Sequence, residues 1–362
     1  MKLSAAEETL YLVASGVIRL VEDSTSSSPL AYPPSLQMGL DRLALACIRQ
    51  GVAPVQGVPD LLIWCHRPLA TWPLDLEPDA VGPDDRLLIG TRPTTICDEW
   101  AVAVADVIAD REETVLMHAV LTACRLADRP QDYVAFRRWL IEYPVITALE
   151  LQQARASEAL APLAEQLRSA YSEAPAECES AGSFRTCPDC GNLLWPTVGN
   201  GWVCDDSRCR PAPESRLPRI PARGEVLWLK RGVRRFVAAP GRAELDLYKR
   251  LQNPGLIVDL WPAYDAYDLR IQFPNREVWA VDMKDWSNPV RLANQVKPIP
   301  DTPPWTRAYF VFPDARRDER PDYVRAFKTR CRVLSSAPPV GAMFATNLVN
   351  QVSRRLKEIG YA

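Results

Sequence analysis

Asp282 and Lys284 are the residues whose types and spacing most directly suggest chemistry. They close the run VWAVDMKDW, Val278 to Trp286, in which four apolar residues lead into an acid. A strand alternates its side chains, so Val278, Ala280, Asp282 and Lys284 share one face. Upstream, AYDLRI reads as a second strand with Asp268 near its start, and QFPNR between the two carries Pro-Asn turn chemistry. A hairpin with its turn centred near Asn275 sets Asp268 opposite Asp282 or close to it. Two carboxylates crowd together at a cost unless a cation lies between them. Together with a backbone carbonyl they suit Mg²⁺, which takes oxygen ligands. A lysine on the same face can orient or activate water, or neutralise charge on a phosphate. Such a set is equipped for metal-assisted phosphodiester hydrolysis. The competing reading is a solvated strand end with a salt bridge.

A second constellation is TCPDCGNLLWPTVGNGWVCDDSRC. Cys187-x2-Cys190 is followed, after thirteen intervening residues, by Cys204-x4-Cys209. Four thiolates on two turns can close a tetrahedron around Zn²⁺, and a site filled by four sulfurs is structural rather than catalytic. Gly191 stands where a knuckle turn needs positive φ, and the segment between the pairs reads as a hairpin. The pattern resembles a zinc ribbon, serving either as a staple of the fold or as part of a grip on nucleic acid or protein. The other six cysteines are scattered, mostly in apolar segments, as expected of reduced thiols.

These two sites need elements to position them. The 362 residues, 47% hydrophobic and 24% charged, suit two or three globular domains. No apolar run approaches the ~20 residues of a membrane helix, and the expected location is the cytoplasm. Helical patterns dominate the N-terminal part: residues 1–22, about 35–50, a stretch from Asp98, QDYVAFRRWLIEYP, and one long helix from Thr147 to Tyr171. VPDLLIWC reads as a short strand or helix. Residues 172–183 read as a polar linker and 211–224 as a proline-rich joint. Beyond Glu225, short β-like runs alternate with helices, the mark of an α/β domain. The expected architecture is multidomain: a mostly α N-terminal domain over 1–172, a zinc ribbon over 183–212, and an α/β domain over 224–362. Charge divides along the same line. Residues 1–210 hold 17 Lys and Arg against 29 Asp and Glu; residues 211–362 hold 26 against 16. A basic C-terminal part attracts phosphates.

Glu244, Asp268 and Asp282-x-Lys284 stand in an order that resembles the PD-(D/E)xK nucleases of the restriction-endonuclease-like superfamily. The resemblance covers roughly residues 225–335. It places Glu244 on a helix over 239–251 and RAYFVFP, 307–313, as the core strand that follows. It implies that Asp268, Asp282 and the Met283 carbonyl hold Mg²⁺, that Lys284 stands beside the attacking water, and that Glu244 joins a metal ligand or its water shell. One detail departs from the pattern, and one assignment has a rival. Tyr267 occupies a position where the family often has proline. Asp265 rivals Asp268, which is preferred because Leu269 and Ile271 flank Arg270 as in a half-buried strand.

More narrowly, an acidic helical region, a ribbon and an Asp-x-Lys domain together resemble the restriction-type nuclease encoded beside prokaryotic PIWI-RE proteins and a helicase. That resemblance implies an Mg-dependent endonuclease acting on DNA in antiviral defence. Its partners would be the PIWI-RE protein and the helicase, and a homodimer would allow two cuts in a duplex. The alternative is a non-catalytic nucleic-acid-binding or assembly subunit with a nuclease-like fold. Two basic strips are candidate phosphate contacts: Lys230, Arg231, Arg234 and Arg235 beside Trp228, and Arg325 and Lys328 on the helix that follows a loop within 314–332. The first reads equally as a charged edge strand; in the second, where Arg325, Lys328 and Arg332 share one helix face, an ordinary solvated face is the preferred reading.

Overall fold

The computed structural model describes residues 4–22, 32–77, 79–102, 112–197, 201–206, 209–210, 212–335 and 340–361. The chain divides into two compact units. One comprises Met1–Ala109, Trp286–Val296 and Thr329–Cys331; the other comprises Asp110–Asp285, Lys297–Lys328 and Arg332–Ala362. Residues 110–172, grouped above with the N-terminal helices, belong to the second unit. About half of the chain is helical, and its C-terminal part holds a mixed sheet.

The first unit is built on helices α1 (Ala5–Glu22), α2 (Pro34–Arg49), α3 (Val58–Trp64) and α4 (Thr95–Ala101). VPDLLIWC is therefore helical, with Pro59 in its first turn, where the missing N–H costs nothing. α1 and α2 approach closely because Gly16 and Gly39 lack side chains. A Cβ on Gly16 would lie 2.5 Å from the Leu36 nitrogen, and one on Gly39 would lie 2.7 Å from Val13. The core gathers Leu10, Val13, Val17, Leu36, Leu43 and Trp100. The polar break at Ser24–Pro29 and residues 103–111 of the helical pattern after Asp98 lie outside the described residues.

The second unit begins with α5 (Glu112–Leu126) and α6 (Pro130–Glu142). The expected long helix from Thr147 to Tyr171 is instead broken. Helices span Ala148–Arg155 and Ala164–Ser169, and Tyr171–Glu173 is a strand. Pro162, lacking an N–H, sits in a 3₁₀ turn between the two helices, and the Ser157 hydroxyl bonds back to the Ala154 carbonyl. The expected linker 172–183 is also structured: Cys178 is fully buried and Glu179–Ser180 is a strand. Val226–Leu229 is the central strand of a small sheet, between Val145–Thr147 and Tyr171–Glu173. The cysteine segment forms a hairpin of Leu194–Pro196 with Trp202–Cys204.

α7 (Ala239–Arg250) leads into the main sheet of β1 (Ile257–Leu260), β2 (Leu269–Gln272), β3 (Val278–Met283), β4 (Arg307–Phe312) and β5 (Val340–Phe344), joined in that order. β1, β2 and β3 pair antiparallel; β3, β4 and β5 pair parallel. β3 reads as an unbroken apolar run because four of its residues, Val278 to Val281, are buried. α8 (Tyr323–Arg330) packs Phe327 against Phe310 and Phe312. The last pair, β5 and α9 (Ala345–Glu358), was not singled out from sequence; α9 seats Leu348, Val352 and Leu356 in the core.

Candidate active site

The hairpin of β2 and β3 sets the geometry. Its register pairs Leu269 with Val281 and Gln272 with Val278, so the turn is centred on Asn275. One step beyond Leu269 the Asp268 N–H donates to the Val281 carbonyl at 3.0 Å, which brings Asp268 to the level of Asp282. Asp268 Oδ2 accepts from the Met283 N–H at 2.5 Å. Lys284 Nζ donates to Asp282 Oδ1 at 2.6 Å, confirming that the pleat places both on one face. Asp268 Oδ1 and Asp282 Oδ2 have no protein partner among the described residues. Asp268 is buried, whereas the Asp282 and Lys284 side chains keep 17% and 29% of their surface.

Glu244 joins the cluster from α7. A Cβ on Gly241 would lie 2.3 Å from Ile141 Cδ1, so glycine lets α7 press against α6. The result is a buried clamp. Arg137 Nη2, from α6, donates to both Glu244 oxygens at 3.0 and 2.9 Å, and Arg137 Nη1 pairs with Asp265. The Trp261 indole N–H donates to Glu244, and its ring lies 4.6 Å from the guanidinium. Tyr133 OH donates to Asp265 at 3.0 Å. Glu244 is thus oriented toward arginine and indole, with both oxygens engaged.

Asp265, the rival for the second acid position, belongs to a turn rather than a strand. Trp261, Ala263, Tyr264 and Asp265 all have φ between 47° and 71°. Left-handed geometry costs roughly 1–2 kcal/mol per L-residue. The bonds to Glu244, Arg137 and Tyr133 hold this turn against that cost, and its far end delivers Asp268. Sequence reasoning missed Arg137 and Trp261. One signal was available: Arg137 interrupts the apolar stripe of Tyr133, Phe136, Leu140 and Ile141 on α6.

Burial, then the Glu244 and Asp282 charges, push the Asp268 carboxyl well above the usual carboxylate range. Burial also raises Glu244, although Arg137 pulls it back in part. Burial works against the Lys284 ammonium, but Asp282 and Asp268 outweigh it and hold its proton more tightly than usual. An acid-rich pocket short of positive charge suits a divalent cation, and the free oxygens of Asp268 and Asp282 are the donors such an ion would take. Among the described residues, the acids form no group of three at metal-ligating distance; the four cysteines do.

The cysteine sulfurs all lie within 4.8 Å of one another, with Cys190 and Cys204 at 3.4 Å. A tetrahedron of Zn–S bonds of ~2.3 Å has edges of about 3.8 Å, so the cluster could hold zinc. Gly191 has φ of 75°, and a Cβ there would lie 2.9 Å from Pro144. Arg234, Arg235 and Arg242 hold the turn after Cys204: Arg234 to the Asp205 carboxylate at 3.3 Å, Arg235 to its carbonyl at 3.0 Å, and Arg242 to Asp206 at 2.7 Å.

The first basic strip is therefore partly committed inside the fold. Arg234 is buried, stacked 3.7 Å over Trp228, which removes it as a phosphate contact. Lys230, Arg231 and Arg235 are half-buried. In the second strip, Arg325 is 80% exposed and pairs with Asp322, while Lys328 is exposed on α8.

Two family models match this chain. Residues 241–359 match a family described as a REase associating with pPIWI_RE, and that span contains Glu244, Asp268, Asp282 and Lys284. Residues 9–147 match pPIWI_RE three-gene island domain Y. These matches associate the chain with a PIWI-RE system and a restriction-endonuclease-like domain. Arg137 of the clamp falls within the domain Y match, so the pPIWI_RE REase match alone does not contain every residue that touches Glu244. No curated protein and no solved structure matches. Among the described residues, no helix is long and apolar enough to cross a membrane.

Proposed function

We propose that the chain is an Mg²⁺-dependent endonuclease that hydrolyses DNA phosphodiesters within a PIWI-RE defence system. The observation that carries this reading is the pair of free carboxylate oxygens, on Asp268 and Asp282, beside Lys284 at the end of β3. Its position within the stretch resembling a pPIWI_RE-associated REase supports it. Asp268 and Asp282 would hold the ion, with the Met283 carbonyl as a third donor. When bound, the ion would make water nucleophilic and offset phosphate charge.

The protein's own residues divide the remaining work. The Met283 N–H fixes Asp268, leaving one oxygen turned to the site. Lys284, whose proton Asp282 and Asp268 hold against burial in the metal-free site, would donate to a phosphate oxygen as negative charge builds. Glu244, held by Arg137, shapes the turn that delivers Asp268. The zinc ribbon is a structural element braced by Arg234 and Arg242. Target choice would rest with other proteins of the system, met through the acidic N-terminal part.

The test is plasmid cleavage by the full chain with Mg²⁺, alone and with its PIWI-RE partner protein, beside Asp282→Ala and Lys284→Ala. Cutting by wild type and not by either variant is expected. Equal cutting by all three would sink the reading. A second reading, an assembly subunit without catalysis, draws on Glu244, whose oxygens are both engaged by Arg137. It predicts no cutting by wild type even with the partner present.

A further inference from the structure

A groove of about 680 Å³ opens beside β5, between α8 and α9. Arg307, Lys328, Arg354 and Arg355 line it together with Asn350, over a floor that includes Met343. Arg307 and Arg355 share Glu277, at 3.2 and 2.8 Å, and Arg355 also reaches Glu358. Lys328 and Arg354 have no ion-pair partner among the described residues, and both are exposed. A solvated helix face usually mixes both signs. Here the sequences of α8 and α9 together contain one acid, Glu358.

The groove belongs to the same sheet as the candidate site. Met283 pairs with Val311, and Val311 pairs with Met343. Met343, at one end of the groove, is thus level with the end of β3 and two strands away, roughly 10 Å at the usual strand spacing, on the face opposite Asp282; Trp279 and Arg307, which also line the groove, stand at the starts of β3 and β4. Phe310 lies opposite Asp282 in the ladder and packs against Phe327, so α8 covers the face that bears Asp282. The α9 residues lining the groove run from Asn347 to Glu358 along one helix face. At ~1.5 Å per residue this face is about 16 Å long. A strand of nucleic acid advances ~3.4 Å per phosphate, so the length suits several phosphates in series rather than one mononucleotide.

We propose that this groove binds the phosphodiester backbone of a nucleic acid, with Lys328 and Arg354 as its main phosphate contacts. It rests on the nuclease reading for its relation to the Asp282 site, but it stands on charge and shape alone as a binding surface. Neither contact reads a base, so the grip is independent of sequence.

The experiment is fluorescence anisotropy of a labelled 20-base-pair duplex with the full chain, without Mg²⁺, over a salt series. Lys328→Glu/Arg354→Glu should weaken binding at least tenfold, and Lys328→Ala and Arg354→Ala should each weaken it less. Losing two phosphate contacts should make the log–log salt slope shallower by about 2. Unchanged affinity in the double variant overturns the proposal, as does a wild type that binds no duplex or binds AMP in its place. Lost binding in the double variant with no cleavage by wild type would leave the groove standing and the nuclease reading fallen. Full cleavage by the double variant, with wild-type affinity, would do the reverse.

Discussion

Arg137 and Glu244 meet through one guanidinium nitrogen and two carboxylate oxygens, at 3.0 and 2.9 Å, with both side chains at least nine-tenths buried. Burial works against the arginine cation, but Glu244 and then Asp265 outweigh it and raise its pKa further. Removing one member strands a buried charge, which typically costs 3–5 kcal/mol. Arg137→Met should therefore destabilise the protein by about that much in urea titrations. Arg137→Met/Glu244→Gln should recover a substantial part, because no lone charge remains at Glu244. Additive losses in the double variant would mean the two residues contribute independently.

Asp268 gives a pH-dependent prediction. Its folded-state pKa lies above the ordinary carboxylate value of about 3.9. Below that value both states are protonated and the residue costs nothing. As pH rises the unfolded chain releases its proton first, so stability falls until the folded carboxyl also ionises. Asparagine can still accept from the Met283 N–H without the charge. Asp268→Asn, free of divalent ions, should raise Tm by roughly 2–4 °C at pH 8 if the cost is near 1 kcal/mol. The gain should vanish near pH 4. A gain that is constant across this range would contradict the assigned cause.

The ribbon predicts one tightly held zinc per chain by elemental analysis. Cys209→Ser should lower that content and Tm together. Arg234 and Arg242 bind the turn that follows Cys204, so disorder there should spread. Arg242→Ala should keep the zinc while lowering Tm by a few degrees, since it removes one brace and no ligand. Zinc lost from Arg242→Ala as readily as from Cys209→Ser would place the arginine's role at the metal itself.

Legibility of this sequence followed the range of the interactions. The Asp282–Lys284 pairing and the Asn275-centred hairpin depend on pleat and turn rules acting within twenty residues, and both could be read directly. The cysteine cluster is likewise a local spacing. The helix over 147–171 failed because alanine-rich composition outweighed Pro162 and Ser157, the residues that break it. The linker assigned to 172–183 failed in part because Tyr171–Glu173 takes its partner from elsewhere, Val226–Leu229, and in part because polar Glu179–Ser180 forms a short local pairing with Ser183–Arg185. The clamp was hidden for the first of these reasons. Arg137 and Glu244 are 107 residues apart, and what joins them is the missing Cβ of Gly241 beside Ile141. The left-handed run from Trp261 to Asp265 contains no glycine to announce it.

Lys284 and Asp282 make the sharpest separation between metal binding and chemistry. Their contact occupies Asp282 Oδ1. Lys284→Met removes that competitor and one positive charge, so Mn²⁺ should bind as well as in wild type or tighter by calorimetry. Asp282→Asn removes a donor and should weaken Mn²⁺ at least tenfold. Cleavage should report the opposite pattern for lysine. Donors to developing charge are commonly worth 10²–10³ in rate, so Lys284→Met should cut about a hundredfold more slowly at saturating Mg²⁺. If Lys284 acts as a cation that stabilises charge, the loss should be similar at pH 7 and pH 9. A loss that disappears at pH 9 would mean that hydroxide replaces a base, and would reassign Lys284 from charge stabilisation to proton transfer.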